Sequence, residues 1–322
     1  MKKQRIGSPW RGMSVIFSRE LADHLTSARM RLLQWLVVLT AVAALYGAIS
    51  SLRQTTAVDP FVFLRLFTDA RAPLPAFAAL LGFLIPLVAI GLGFDAINGE
   101  YSRRTLSRIL SQPLYRDALL LGKFLAGLAA LAICLVCLWL LVIGAGLILL
   151  GVPPSGEEIL RSLAFLLAAL AYAGVWLAVA MLCSVVFRSA STSALVALGL
   201  WLFAALLWPM LAPAIAQAVA PPELTNRLLG MPDLHTLGWQ RALLHASPTT
   251  LFNDAALSLL SPATRSLGPV FLFQVQGAVL GSPLPLAESL ALVWPQLTGL
   301  IAAVVLLFTL AYVLFQRQEV RA

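Results

Sequence analysis

The chain has 322 residues, of which 60% are hydrophobic and only 11% are charged, and its formal net charge is +8. A soluble domain usually carries about 25% charged residues, so this composition excludes an ordinary soluble fold and indicates a membrane protein. The basic residues are not grouped with aromatic ones as in a nucleic-acid-binding face. Their positions at the ends of apolar segments are instead typical of residues that orient a protein in a membrane.

The N-terminal segment, residues 1–31, is basic and becomes periodic from Trp10 onward. The apolar residues that recur every three or four positions are Trp10, Met13, Phe17, Leu21 and Leu25. This spacing predicts an amphipathic helix that lies in the membrane interface. A plain basic cytoplasmic tail is the alternative, because the pattern is imperfect.

Six segments are apolar and long enough to cross a bilayer as helices. We predict spans at residues 32–52, 74–94, 118–150, 159–187, 194–219 and 289–315. The first is longer than the core of a signal peptide, which favours an uncleaved membrane helix. We also predict a short helix over 61–67, in the loop after the first span, and a tight turn over 188–193.

Residues 220–288 are too mixed in composition to form one span and too apolar to form a disordered linker. Ser247 before Pro248 resembles an N-cap followed by proline at the first helical position, and Ser261 before Pro262 repeats that pattern. We therefore predict an outer-face cap built from short helices.

The distribution of basic residues favours an arrangement with both termini in the cytoplasm. This arrangement places 15 of the 22 Lys and Arg residues on the inner side. Positively charged loops remain preferentially inside, so the count supports six spans with both termini inside.

No set of residues resembles a catalytic or cofactor-binding site. His24, His235 and His245 lie apart in the sequence, and no phosphate-binding glycine loop is present. A metal site formed by His235 and His245 with Met231 and Asp233 fits no known ligand spacing. Cys134 and Cys137 form a C-x-x-C pair, but these two and Cys183 fall inside predicted spans, which favours small buried apolar residues over redox chemistry.

Ionisable residues are missing from the middle of the predicted spans. Ion-coupled carriers normally place titratable groups there, so this absence disfavours a secondary transporter. If the chain moves a solute, the energy is expected to come from another protein.

The polar segment 94–123 lies between the second and third apolar spans and contains a cluster of charged residues. We interpret it as a cytoplasmic helix that docks on a partner. Thr105 can cap a short helix, Leu106, Ile109 and Leu110 form an apolar stripe, and the surrounding arginines offer charge. A solvated basic loop without a partner is the alternative.

This segment resembles the cytoplasmic stretch between spans two and three of ABC-2 type ABC transporter permease subunits. The matching residues are Glu100, Thr105, Leu106, Ile109, Leu110, Ser111, Pro113, Arg116, Gly122 and Lys123. Arg104 departs from the pattern, because many relatives have glycine there. The stretches SPTTLF and SPATRSLGP resemble permeases associated with multi-copper enzyme maturation.

The resemblance implies an all-α integral membrane protein of the bacterial cytoplasmic (inner) membrane, with one transmembrane domain over residues 1–322 and a coupling segment over 95–117. A separate pair of ATPase subunits would bind ATP and Mg, and a second copy or a homologous permease would complete a dimer. The implied ATPase-coupling residues are Glu100, Arg103, Arg104, Thr105, Leu106, Arg108, Ile109, Leu110, Ser111, Pro113 and Arg116. Lys123 and Arg188 are expected to extend to the membrane interface.

Two other functions are compatible with the sequence. The chain could be a membrane scaffold or mechanotransmitter that is linked to an ATPase and acts on a periplasmic protein. An intramembrane enzyme is the weaker alternative, because no paired catalytic residues face the bilayer interior.

Overall fold

The computed structural model of the chain describes residues 9–54, 61–72, 74–102, 116–151, 153–221, 233–262 and 284–317. Within these ranges the chain is almost entirely helical, and the only extended pairing is an isolated bridge between Arg71 and Leu74. A helix satisfies its own backbone hydrogen bonds, which an apolar environment requires. The predicted all-α fold class is therefore confirmed.

Six helical segments of the described chain are long and apolar enough to cross a membrane, as predicted. They are built from α2 (Ala28–Gln54), α4 (Phe77–Gly93), α6 (Arg116–Leu150), α7 (Gly156–Val186), the segment Ala190–Val219, and α12 (Leu286–Arg317). The predicted turn over 188–193 is shorter than expected, because the fifth span begins at Ala190.

The fifth span is not one regular helix. It consists of α8 (Ala190–Leu202), a π-helical segment (Phe203–Leu207) and α9 (Trp208–Val219). The backbone N–H of Trp208 bonds the carbonyl of Phe203, five residues back, instead of the carbonyl of Ala204. Pro209 follows at once and has no N–H to donate, which favours an irregular ladder at this point.

Helices are present at both places predicted near the first span, and the interfacial position of the first stays a prediction. Helix α1 (Pro9–Thr26) packs chiefly against the start of α6. Helix α3 (Val62–Thr68) buries four apolar side chains, Phe63, Leu64, Leu66 and Phe67. A side chain at Gly146 of α6 would lie 2.5 Å from the Phe63 ring, so glycine permits this close packing.

Helix α7 is the centre of the bundle. It packs against α4, α6 and α12, and most of its residues from Ala168 to Val185 are buried. A Cβ at Gly93 of α4 would lie 2.8 Å from the Cβ of Ala180, so α4 and α7 approach closely where both carry small residues. Small residues at helix contacts allow this close packing in membrane bundles.

Helices α10 (Leu234–Leu244) and α11 (Pro248–Leu260) form a hairpin whose first arm runs along α9. Three hydrogen bonds hold the first arm and the turn of the hairpin against the fifth span. Thr236 Oγ1 donates to the carbonyl of Ala220 (2.7 Å), Trp208 Nε1 donates to that of Leu243 (2.7 Å), and Ser247 Oγ donates to that of Ala204 (2.9 Å). The turn of the hairpin thus lies beside the middle of the fifth span.

The second arm of the hairpin returns along α7. Tyr172, at the middle of α7, donates from its hydroxyl to the carbonyl of Gly82 and pairs with Thr249 Oγ1 (3.2 Å). Its ring stacks on Phe252, with 4.6 Å between centroids. Two short helices are therefore present in the described part of 220–288, and the hairpin that they form reaches the mid-depth of the bundle. The helix predicted to follow Ser261 and Pro262 lies outside the described residues, and the outer-face position of the cap stays a prediction.

Candidate ATPase-coupling site

The chain leaves α4 through a short turn into α5 (Asn98–Ser102), and this turn is fastened to the end of α7. Ser184 Oγ accepts the backbone N–H groups of Ile97 (2.9 Å) and Asn98 (3.2 Å). Asn98 Nδ2 donates to the carbonyl of Phe187 (3.2 Å). These bonds fix the start of the predicted coupling segment relative to the central helix.

A buried lysine joins three helices at this point. Lys123 Nζ lies 2.6 Å from Glu20 Oε1 on α1 and 3.2 Å from Glu100 Oε1 on α5, while Lys123 itself belongs to α6. The lysine side chain is only 5% exposed, and both carboxylates are about four-fifths buried. Charges taken out of water require such pairing, so the three residues form one ionic cluster.

The expectation that Lys123 extends to the membrane interface is wrong. Its ammonium is held inside the protein by Glu20, which is 103 positions away in the sequence. Arg188 differs, because it is exposed in the turn between α7 and α8.

Gly122 explains how α1 comes close enough for this pairing. A Cβ at Gly122 would lie 2.9 Å from Ile16 Cγ2 and 3.2 Å from Ile16 Cβ. Such distances are shorter than normal packing contacts, so a larger residue would push α1 away from α6. The glycine–lysine pair therefore combines close helix approach with ionic pairing.

His24 lies one turn after Glu20 on α1. Burial lowers the pKa of its imidazole below the usual value, and Lys123 acts in the same direction. Glu20, Asp95 and Asp23 oppose this shift without cancelling it. The environment of His24 thus favours the neutral imidazole over the charged one, since desolvation penalises the charge.

Of the predicted coupling residues, Glu100 is the one whose side chain the structure describes, and it belongs to the ionic cluster. Arg116 begins α6. The remaining predicted residues, Arg103, Arg104, Thr105, Leu106, Arg108, Ile109, Leu110, Ser111 and Pro113, lie outside the described residues. The predicted helix over this segment therefore remains a prediction.

Sequence reasoning missed Glu20, Asn98 and Ser184 as members of this site. The sequence did carry a signal for Glu20, because it is an acidic residue within a basic segment. Asn98 and Ser184 carry no signal in the sequence, since their importance depends on the long-range approach of α5 to α7.

The other candidate residues are placed separately. Cys134 accepts a weak hydrogen bond from Gln34 Nε2 (3.5 Å), and Cys137 is exposed rather than buried as predicted. His245 pairs with Asp254, and Asp233 caps α10 by accepting the backbone N–H of His235. Met231 lies outside the described residues, and within them no group of three His, Cys, Asp or Glu side chains is placed to hold a metal ion.

Comparisons with known proteins agree with this architecture. A family model described as ABC-2 family transporter protein matches residues 14–320. The "Probable ABC transporter permease protein NosY" of Pseudomonas aeruginosa is 32% identical over 249 residues, which cover 76% of this chain and 80% of that protein. The protein of the same name from Stutzerimonas stutzeri is 28% identical over 261 residues, covering 78% and 82%. With the six spans, these matches show that the chain belongs to the ABC-2 family of transporter proteins.

Proposed function

We propose that this chain is the membrane-spanning permease subunit of an ABC transporter in the bacterial cytoplasmic (inner) membrane. A separate pair of ATPase subunits binds ATP and Mg and hydrolyses the nucleotide, so the chain described here is not itself catalytic. A second copy or a homologous permease completes the membrane pathway. The observation that carries this proposal is the family match over residues 14–320.

The ionic cluster supports the proposed route by which ATPase motion enters the membrane domain. The partner docks on the segment that follows Glu100, and Glu100 is tied through Lys123 to α1 and α6. A displacement of the docked segment therefore acts on two helices at once. The hydrogen bonds that Ser184 accepts from Ile97 and that Asn98 donates to Phe187 extend the same connection to α7.

The proposal is tested by purifying the chain with the ATPase that accompanies it in native membranes and measuring ATP hydrolysis in nanodiscs. Arg103, Arg104 and Leu106 are changed together to alanine. We expect loss of co-purification, or at least a tenfold loss of the ATPase activity that depends on the permease. The matched control is Arg317→Ala, which removes an exposed basic residue from the end of α12 and is expected to behave like wild type.

Two outcomes would contradict the proposal. Normal association and normal ATPase activity in the triple variant would remove the coupling role of the segment. Failure to recover any ATPase with the wild-type chain would argue against the permease assignment itself.

A further inference from the structure

An ionisable pair lies at the turn of the α10–α11 hairpin. His245 follows α10, and its Nε2 is 2.9 Å from Asp254 Oδ2 on α11. The neighbouring Ser247 bonds Ala204, which lies 14 residues after the first residue of α8 and 15 before the last residue of α9. The pair is therefore near the mid-depth of the bundle.

A second set of contacts places Asp254 a little away from the middle of α7, toward its Arg161 end. Thr249 pairs with Tyr172, and Tyr172 lies 16 residues after the start of α7 and 14 before its end. Asp254 is five residues further along α11, which corresponds to a rise of about 8 Å. The predicted absence of ionisable groups concerned only the six spans, and the hairpin brings a His–Asp pair into the bundle from outside them.

The pair is not enclosed by the described part of the chain. Both side chains are 28% exposed, and the adjacent Asn253 is exposed as well. The opposite face of α11 is buried and mostly apolar, with Leu251, Phe252, Ala255 and Leu259 packed inward. Helix α11 therefore has polar side chains on the face that points away from the core of the bundle, near mid-depth.

A carboxylate exposed at this depth is costly in hydrocarbon whether or not the imidazole is protonated. Ionisable groups inside membranes almost always face a protein interior or a water-filled cavity. We infer that the polar edge of the hairpin, formed by His245, Asn253 and Asp254, lines a water-filled solute path rather than facing lipid. This inference rests on the proposed permease function and specifies the chemistry of its pathway.

The edge selects for a particular kind of solute. Asp254 offers carboxylate oxygens and Asn253 offers an amide, so the site suits groups that donate hydrogen bonds, such as hydroxyl or ammonium groups. An acyl chain would leave these groups without partners and is disfavoured at this site.

The inference is tested by the reactivity of single cysteines. Cys134, Cys137 and Cys183 are first replaced by alanine, and Asn253→Cys is then introduced into the full chain in proteoliposomes. The water-soluble thiol reagents are the cationic MTSET and the anionic MTSES. We expect Asn253→Cys to react with MTSET at least tenfold faster than either of two controls.

The two controls separate depth from burial. Ile301→Cys on α12 lies near the level of Leu251, which fills the space beside Gly299, and its exposed surroundings are apolar. Ser258→Cys is on α11 itself but on its fully buried face. If Asn253→Cys reacts no faster than Ile301→Cys, the inference is overturned.

The charge of the reagent tests the solute class. The labelling rate with each reagent is divided by the rate at which the same reagent reacts with free mercaptoethanol, which removes the difference in intrinsic reactivity. After this correction, Asn253→Cys should react several fold faster with MTSET than with MTSES. Adding Asp254→Asn should remove that preference, with folding checked by size-exclusion chromatography. No preference in the variant that retains Asp254 would contradict the donor-selective site.

The labelling readout is independent of nucleotide hydrolysis. If Asn253→Cys is labelled no faster than the controls but the chain still stimulates its ATPase, the polar path is refuted and the proposed function stands. If labelling is fast but no ATPase partner is recovered, the proposed function is refuted and the polar path stands.

Discussion

At the scale of single residues, Gly122 sets the distance between α1 and α6. A Cβ there would lie 2.9 Å from Ile16 Cγ2. We predict that Gly122→Ala lowers the free energy of unfolding by about 1–3 kcal/mol, the usual range for overpacking. Thermal unfolding in detergent measures the effect.

The same substitution has a matched control on the same helix. A Cβ at Gly144 would have no atom within 4 Å, so Gly144→Ala should be neutral or stabilising by up to about 1 kcal/mol through helix propensity. Adding Ile16→Ala to Gly122→Ala should recover part of the loss. Equal behaviour of the two glycine variants would show that the close approach is unimportant.

His24 gives the site a predicted dependence on pH. Its folded-state pKa lies below the value of 6.5 that applies to the unfolded chain. Between those two values the unfolded chain binds more protons, so stability is fully present above pH 6.5 and declines as pH falls toward the folded pKa.

Hydrogen–deuterium exchange of α1 at pH 7.5 and pH 5.0, corrected for intrinsic exchange rates, measures this dependence. We expect weaker protection of α1 at pH 5.0 in wild type and a smaller change in His24→Gln. Identical changes in both proteins would assign the pH dependence to other groups, of which Glu20 is the nearest.

The limit of sequence reasoning at this scale is set by distance along the chain. Hydropathy is a local property, so the apolar context of Lys123 was visible. Its partner Glu20 is 103 positions away, and only the packing of α1 against α6 brings the two together. The role of Lys123 therefore could not be derived from its neighbours in sequence.

At the scale of helices, Arg161 holds the end of the hairpin to two spans. Its guanidinium donates to the carbonyls of Leu259 (3.4 Å) and Leu284 and to Ser289 Oγ (3.0 Å), and it pairs with Glu157 (2.9 Å). Arg161 is completely buried. It thereby joins α7, the end of α11 and the start of α12.

We predict that Arg161→Met destabilises the protein by about 1–3 kcal/mol, because it leaves the buried carbonyls of Leu259 and Leu284 without their donor, whereas Glu157 is 39% exposed and can be solvated. Hydrogen–deuterium exchange should show that α11 loses protection before α4. Arg161→Lys should restore part of the stability. Arg241→Ala, at an exposed position on α10, is the control and should change little.

The helices themselves could be predicted more fully than their contacts. Ser247 with Pro248 correctly indicated the start of α11, since proline is favoured in the first turn. The hydroxyl of Ser247 nevertheless makes no capping bond and donates to Ala204 in the fifth span. The mixed composition of residues 220–288 indicated short helices but contained no information about their depth.

At the scale of the whole molecule, six spans require both ends of the chain to lie on one side of the membrane. The excess of Lys and Arg predicts that this side is the cytoplasm. A green fluorescent protein fused after the last span should therefore fluoresce in the bacterial host. Alkaline phosphatase fused after Gly151, between α6 and α7, should be active on the opposite side.

The reverse result at both positions would overturn the predicted orientation and leave the number of spans intact. A fluorescent C-terminal fusion combined with an inactive phosphatase after Gly151 would place both positions in the cytoplasm and would instead contradict the number of spans. The fusion after Gly151 is well placed, because that glycine ends α6 in a left-handed conformation (φ 71°) within a turn.

The π-helical segment has a consequence for how such a bundle can change during evolution. Each residue of an α-helix turns the chain by about 100°, so one inserted residue rotates everything beyond it by that angle. The segment Phe203–Leu207 accommodates such an insertion and frees the carbonyl of Ala204, which accepts the bond from Ser247. A homologue with one residue fewer there would present a different face of α9 to the hairpin and would lack this acceptor. The extra residue of the π-helical turn therefore sets both the face of α9 that meets the hairpin and the carbonyl that anchors it.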